Sequence, residues 1–150
     1  MARYFVTGAA GFLGTALVKK LPGPVVALIR DRNTYVSAGT NGNDDIPATL
    51  CYGDLSDIST LERIISEHRI DTVVHLAAQT EIAVAVSDPV GTFQANVEGT
   101  FNVLEACRRQ GVKRVVIAAS DKAYGRTEPP YREDQPLTPD RPYETSKAIT

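Results

Sequence analysis

Three glycines at intervals of three, Gly8, Gly11 and Gly14, stand between an apolar run, Tyr4 to Thr7, and a helical stripe of Leu13, Leu17 and Leu21. Glycine lets a backbone turn sharply and lets another group approach it closely. A helix that starts directly after such a turn offers unpaired N–H groups and positive potential to an anion. The spacing G-x-x-G-x-x-G therefore predicts a strand, a tight turn and a helix, with two possible uses: receiving a pyrophosphate, or packing the helix closely on its strand.

The rest of the chain repeats this alternation. Val25 to Ile29 is a continuous apolar run, as in a parallel strand covered on both faces. Residues 34–47, rich in Gly, Asn, Asp, Ser and Thr, read as a loop. A third strand is expected at about Thr49 to Tyr52, a short amphipathic helix around Leu61, Ile64 and Ile65, and a fourth strand at Thr72 to Leu76. Asp88 and Pro89 form an N-cap and first-turn pair. Behind them Val90, Phe93, Val97, Phe101 and Leu104 mark one long helix ending near Gly111. Gly99 inside it calls either for a close packing partner or for simple tolerance of its helix-weakening effect. A fifth strand is expected from Arg114 to Ala119, and the five prolines between Arg126 and Pro142 predict a long loop. Alternating strands and helices predict an α/β fold, a doubly wound, Rossmann-like parallel sheet of order 3-2-1-4-5.

Composition excludes several classes. A formal net charge of -2 gives no general attraction to nucleic acid or to an anionic membrane. No apolar run approaches the ~20 residues of a membrane span, and Met1-Ala2-Arg3-Tyr4 leads straight into a strand without the pattern of a signal peptide. Cys51 and Cys107 read as reduced, buried thiols of a cytoplasmic protein rather than a disulfide or metal site.

Asp31, at the end of the second strand, is placed to accept hydrogen bonds from ribose hydroxyls and to repel a 2′-phosphate, which favours NAD. Arg30 and Arg32 flank it, and either is able to pair with a 2′-phosphate, which keeps NADP open. Asp54, after Gly53, reads as an acceptor for an adenine amino group or as a turn acid. Ala77 and Ala78 end the fourth strand as small residues that admit a cofactor, or as ordinary packing. His75 reads as a packed core residue.

Tyr143 and Lys147, four apart, share one helical face. A free tyrosine ionises near pH ~10, and a nearby ammonium favours the phenolate. The pair thus supplies a base, and Ser120 upstream is placed to hold a substrate hydroxyl against it. A helix starting at Tyr143 is expected to be cut in its first turn by the end of the chain at Thr150.

The set Thr7-Gly-Ala-Ala-Gly-Phe-Leu-Gly14, Gly53-Asp54-Leu55, His75-Leu76-Ala77-Ala78, Asn96, Ser120 and Tyr143-x-x-x-Lys147 resembles the extended short-chain dehydrogenase/reductase family of nucleotide-sugar epimerases and dehydratases. The resemblance implies that Gly8, Gly11 and Gly14, with Phe12 and Leu13 beside them, receive the pyrophosphate. It implies that Asp31 binds adenosine ribose, and that Asp54 and Leu55 contact adenine. It makes Tyr143 the base, Lys147 the group that holds the nicotinamide ribose and acidifies Tyr143, Ser120 the orienter of the sugar hydroxyl, and Asn96 structural support. The run Ser120-Asp121-Lys122-Ala123-Tyr124 most resembles the CDP-glucose 4,6-dehydratase branch. That implies oxidation at C4, loss of water across C5 and C6 with Asp121 as acid and Lys122 as base, and return of hydride to C6. A 4-epimerase is the alternative, and a non-catalytic dinucleotide-binding module is a second. The family's members are longer and have a substrate domain. Residues 1–150 are therefore expected to be an N-terminal NAD-binding domain, cut before its last strands, of a parent that is a homodimer; the fragment by itself is expected to be inactive.

Overall fold

The computed structural model describes residues 1–30 and 47–150. Five parallel strands form one sheet: β1 (Tyr4–Thr7), β2 (Val25–Ile29), β3 (Thr49–Tyr52), β4 (Thr72–His75) and β5 (Arg114–Ile117), in the order β3-β2-β1-β4-β5. This is the doubly wound order expected from the alternation of strands and helices. The register pairs Thr7 with Leu28 on one side and with His75 on the other, so the strand ends that carry the glycine turn and the Leu76-Ala77-Ala78 segment lie together.

Both faces of the sheet are covered, and side chains alternate between them as strand geometry requires. Phe5, Val26, Leu28 and Val73 pack with Leu61, Ile64 and Ile65 of α2 (Ile58–Glu67) and with Val103, Ala106 and Cys107. Val6, Val25, Ala27, Ile29 and Val74 pack on the other face with Ala9, Ala10 and Val18. Asp57 starts α2 by accepting the N–H of Thr60 at 3.1 Å, and the apolar stripe Leu61, Ile64, Ile65 then faces the core.

Helix α1 (Phe12–Val18) buries Gly14 and Val18, one turn apart, whereas Leu13 is exposed. The leucine stripe expected here is thus only partly the packing face; Leu17 and Leu21 pad its edge. The absence of a side chain at Gly14 lets the helix lie on the turn before it, because a Cβ there would sit 2.7 Å from Ala9 Cα.

The long helix expected after Asp88 differs in detail. Helix α3 (Ile82–Ser87) precedes it, and the run itself is α4 (Pro89–Phe93), a π-helical turn (Gln94–Glu98) and α5 (Gly99–Gln110). Asp88 caps it by accepting the N–H of Gly91 at 2.9 Å, and Gly111 closes it with φ +67°. The wide turn inserts a residue into the ladder where Asn96 faces inward. Gly99 has the close partner: a Cβ there would lie 3.0 Å from Leu55 Cδ1.

Strand β5 stops at Ile117, short of the expected Ala119, where its partner β4 also ends; the Ala118 N–H still donates to the His75 carbonyl at 3.0 Å, and the Ala118 carbonyl accepts from Lys147 Nζ at 2.6 Å. A 3-10 turn (Asp121–Tyr124) follows, then an irregular segment, then α6 (Pro142–Ile149). α6 begins one residue before Tyr143, since the fixed φ of Pro142 suits a first helical position. It runs eight residues and buries Glu144, Ser146 and Lys147 against the rest of the molecule. The expected single turn is therefore a packed helix, stabilised by tertiary contacts rather than by its length.

Candidate functional site

The C-terminal ends of β1, β2, β3 and β4 open on a cavity of about 590 Å³. In an open α/β sheet this edge is where ligands bind. Gly8 and Gly11 form its floor, Asp54 and Leu55 one wall, and Ala77 and Ala78 another. Six of the residues singled out in the sequence are thereby brought together.

Gly8 adopts φ +69°, and a Cβ on it would lie 2.6 Å from the amide nitrogen of Ala77. Both conformation and close approach require glycine there. At Gly11 a Cβ would meet only the Gly8 carbonyl, at 3.3 Å, so what a side chain would fill is cavity space. Gly11 is the N-cap of α1 and supplies no capping side chain. The first N–H groups of α1, at Phe12 and Leu13, are thus left for an anion. Phe12 and Leu13 do not line the cavity; both side chains stand in solvent at the head of α1. Gly14 lies beneath it as a packing glycine.

Asp54 is exposed, and its Oδ1 accepts from the N–H of Ser56 at 2.9 Å and from its hydroxyl at 2.8 Å. These bonds, with a further pull from the Arg30 guanidinium, hold the carboxyl below its ordinary range. The turn reading and the ligand reading of Asp54 coexist, since Oδ2 accepts no hydrogen bond from the described residues. Asp31 and Arg32 lie outside the described residues. Their neighbour Arg30 lines the cavity.

The far wall was not legible in the sequence. Gln79, Gly91, Thr92 and Ala95 line it. The available signal was the small pair Gly91 and Ala95, four residues apart in the helical run after Asp88.

Behind the cavity runs a buried hydrogen-bond chain. Thr100 Oγ1 donates to the Asn96 carbonyl at 2.5 Å, so it accepts from His75 Nε2 at 3.0 Å. His75 Nδ1 then accepts from Thr7 Oγ1 at 2.6 Å, and Thr7 Oγ1 accepts the Ala77 N–H at 3.3 Å. The partners fix one neutral tautomer. Burial, and next the charge of Lys147, push the imidazole down to about 4. His75 is the core residue expected. Asn96 extends the chain: Oδ1 accepts the Gln79 N–H at 2.7 Å, and Nδ2 donates to the Gln79 carbonyl at 3.0 Å and to Ser146 Oγ at 2.9 Å. Ser146 Oγ donates to the Tyr143 carbonyl at 2.7 Å.

Asn96 thus ties the loop after β4 to the helix that carries Tyr143 and Lys147. Tyr143 is half-buried in the first turn of α6. Lys147 is buried, its ammonium lowered by desolvation, with Nζ donating to the Ala118 carbonyl. One donor of three is so committed, and the other two meet no acceptor among the described residues. Ser120, two residues on, caps the 3-10 turn by accepting the Lys122 N–H at 3.2 Å and donates to Asp121 Oδ1 at 3.3 Å. Asp121 and Lys122 are exposed and form an ion pair at 3.8 Å. Lys147 thus reaches the end of β5, just before Ser120, Asp121 and Lys122, and none of Ser120, Asp121, Lys122, Tyr143 and Lys147 lines the cavity. Cys51 and Cys107 are free thiols as expected, but only Cys107 is buried; Cys51 is partly exposed. Burial raises both, Cys107 to about 11, and Cys51 Sγ contacts His68 Nε2 at 3.6 Å.

Residues 4–150 match the sequence family described as the NAD dependent epimerase/dehydratase family. The chain is 38% identical over 154 residues to a dTDP-glucose 4,6-dehydratase of Streptomyces antibioticus, covering 95% of this chain and 45% of that protein. It is 32% identical to a UDP-glucose 4-epimerase of Azospirillum brasilense, covering 99% of this chain and 42% of that one. Among solved structures, the UDP-glucose 4-epimerase of Thermus thermophilus in complex with NAD superposes with a TM-score of 0.83 at 36% identity, covering 97% of this chain and 47% of that one. The chain spans less than half the length of these relatives.

Proposed function

The chain belongs to the NAD-dependent epimerase/dehydratase family, and on that premise we propose that residues 1–150 are the dinucleotide-binding part of an NAD-dependent nucleotide-sugar 4,6-dehydratase. The sugar nucleotide is gripped mainly by segments outside these residues. The residues present fit the cofactor: Gly11 leaves open space where a side chain would intrude, the α1 N-terminus lacks a cap, and Asp54 keeps an oxygen for a donor.

In this reading Gly8, Gly11 and the first turn of α1 receive the pyrophosphate, Asp54 and Leu55 meet adenine, and Ala77 and Ala78 leave room beyond it. Asp31 accepts from the adenosine ribose. When bound, NAD supplies a hydride acceptor at C4 of the sugar and a hydride donor at C6. Ser120 orients the 4-hydroxyl, Tyr143 removes its proton, and Lys147 stabilises the phenolate and holds a ribose hydroxyl with its two uncommitted donors.

The observation that carries dehydration beyond a simple redox step is the Asp121–Lys122 pair beside Ser120. Loss of water across C5 and C6 needs a base for the C5 proton and an acid for the leaving hydroxyl. A proton passed from Lys122 to Asp121 leaves a neutral amine and a carboxylic acid, the two groups required. Removing water from around the pair favours that neutral form. The alternative, 4-epimerisation, uses Ser120, Tyr143 and Lys147 alone, and similarity to the Azospirillum protein supports it. The parent is a homodimer; exposed Val90, Phe101 and Leu104 on the α4–α5 run supply an apolar face for it. No described helix is long and apolar enough to cross a membrane, and we place the protein in the cytoplasm.

The test supplies dTDP-glucose, CDP-glucose and UDP-glucose to the full-length protein and identifies products by NMR. A 4-keto-6-deoxy sugar is expected, and Lys122→Met is expected to lose it while C4 oxidation persists. A 4-epimer with no keto product would overturn the dehydratase reading.

A further inference from the structure

A second cleft, of about 370 Å³, opens at the opposite edge of the sheet. Val25, the first residue of β2, lines it, whereas Ile29, the last, lines the cavity described above. The two spaces are thus a strand length apart, about 13 Å. Arg3, just before β1, and His68 and Arg69, just after α2, bring three basic residues to this second cleft. No carboxylate of the described residues pairs with either guanidinium: Glu67 is held by Arg63 at 2.9 Å, and Asp71 lies 3.6 Å from Arg114. His68 is half-buried, and Cys51 Sγ contacts its Nε2, which leaves Nδ1 as the remaining ring nitrogen. Arg69 is the one non-glycine residue among those described with a left-handed backbone, φ +50°. It ends α2 in the place glycine commonly fills. That conformation is unfavourable for an L side chain, and ligand clamps are among the places where it persists. The negative end of α2 is largely neutralised, since the carbonyls of Ile64, Ser66 and Ile65 accept from the N–H groups of His68, Arg69 and Ile70 at 3.1, 3.1 and 3.0 Å.

We propose that this cleft is an anion site, separate from the dinucleotide cavity, which takes the phosphate of a small phosphomonoester on Arg3 and Arg69, with His68 as a further donor. A phosphomonoester carries close to two negative charges at pH 7 and three acceptor oxygens. Two guanidiniums match that charge and meet the oxygens with charge-assisted N–H bonds. Pro24 and Ile70 give the body of the ligand an apolar wall, and the volume suits a small molecule. The site stands or falls independently of the dinucleotide reading, because none of its residues lines the other cavity.

Calorimetric titration of the full-length protein with ribose 5-phosphate tests it, in the presence of excess ADP-ribose and with unphosphorylated ribose as the control. Saturable binding of ribose 5-phosphate at one site per chain is expected, and none of ribose. Arg3→Gln and Arg69→Gly are each expected to weaken it at least ten-fold, as the loss of a charge-assisted contact implies. Glycine relieves the left-handed backbone at position 69, so Arg69→Gly is expected to melt no lower than wild type, and its loss of binding is then not a loss of fold. Absence of saturable binding, equal binding of ribose, or an affinity untouched by both substitutions would overturn the proposal.

Discussion

Asn96 and His75 hold the site together from below. Asn96 satisfies both backbone groups of Gln79 and reaches Ser146. Replacing it by Ala strands those buried partners, so Asn96→Ala should cost about 3 kcal/mol in urea denaturation. His75 carries a pH signature. Its folded value of about 4 lies below the ordinary 6.5, so between those values the unfolded chain binds the proton and the folded one does not. The contribution is complete above pH 6.5 and is lost as pH falls towards 4, by about 3 kcal/mol in all. The stability gap between wild type and His75→Gln should therefore narrow between pH 7 and pH 4.5; a constant gap would contradict a neutral buried imidazole. The sequence showed His75 as core, because it sits in an apolar strand. It did not show the chain of partners, since Thr7, Thr100 and Asn96 meet it only through the fold.

At the scale of elements, glycines divide by what surrounds them. Gly14 has backbone of the preceding turn where a Cβ would go, whereas Gly111 has left-handed φ and nothing within 4 Å. Gly14→Ala should lift α1 off the sheet and cost about 3 kcal/mol or more. Gly111→Asn should cost less than about 1 kcal/mol, because asparagine tolerates that conformation. Equal thermal shifts for the two would refute this distinction. The α2 packing stripe was readable because apolar periodicity follows directly from burial, and the strand order because right-handed crossovers constrain a parallel sheet. The π-helical turn was not, since apolar spacing of three and four looks the same when one extra residue is inserted. Helix α6 was underestimated for a related reason: its stability comes from Lys147, Ser146 and Glu144 meeting other elements, and no local propensity reports that.

The whole molecule is a parallel sheet whose C-terminal edge carries two adjoining clusters. One is the cavity bounded by Gly8, Gly11, Asp54 and Ala77. The other is the end of β5, with Ser120, Asp121, Lys122 and Lys147 around Ala118. The first cluster is a cavity lined entirely by described residues. The second stands outside that cavity, and the chain spans less than half the length of the relatives it matches. The proposed dinucleotide site is this cavity. Calorimetric titration of the 150-residue chain with NAD tests it most directly. One site per chain is expected, competed by ADP-ribose and weakened at least ten-fold by Gly11→Val. No saturable heat with the folded chain, or binding indifferent to Gly11→Val, would contradict it.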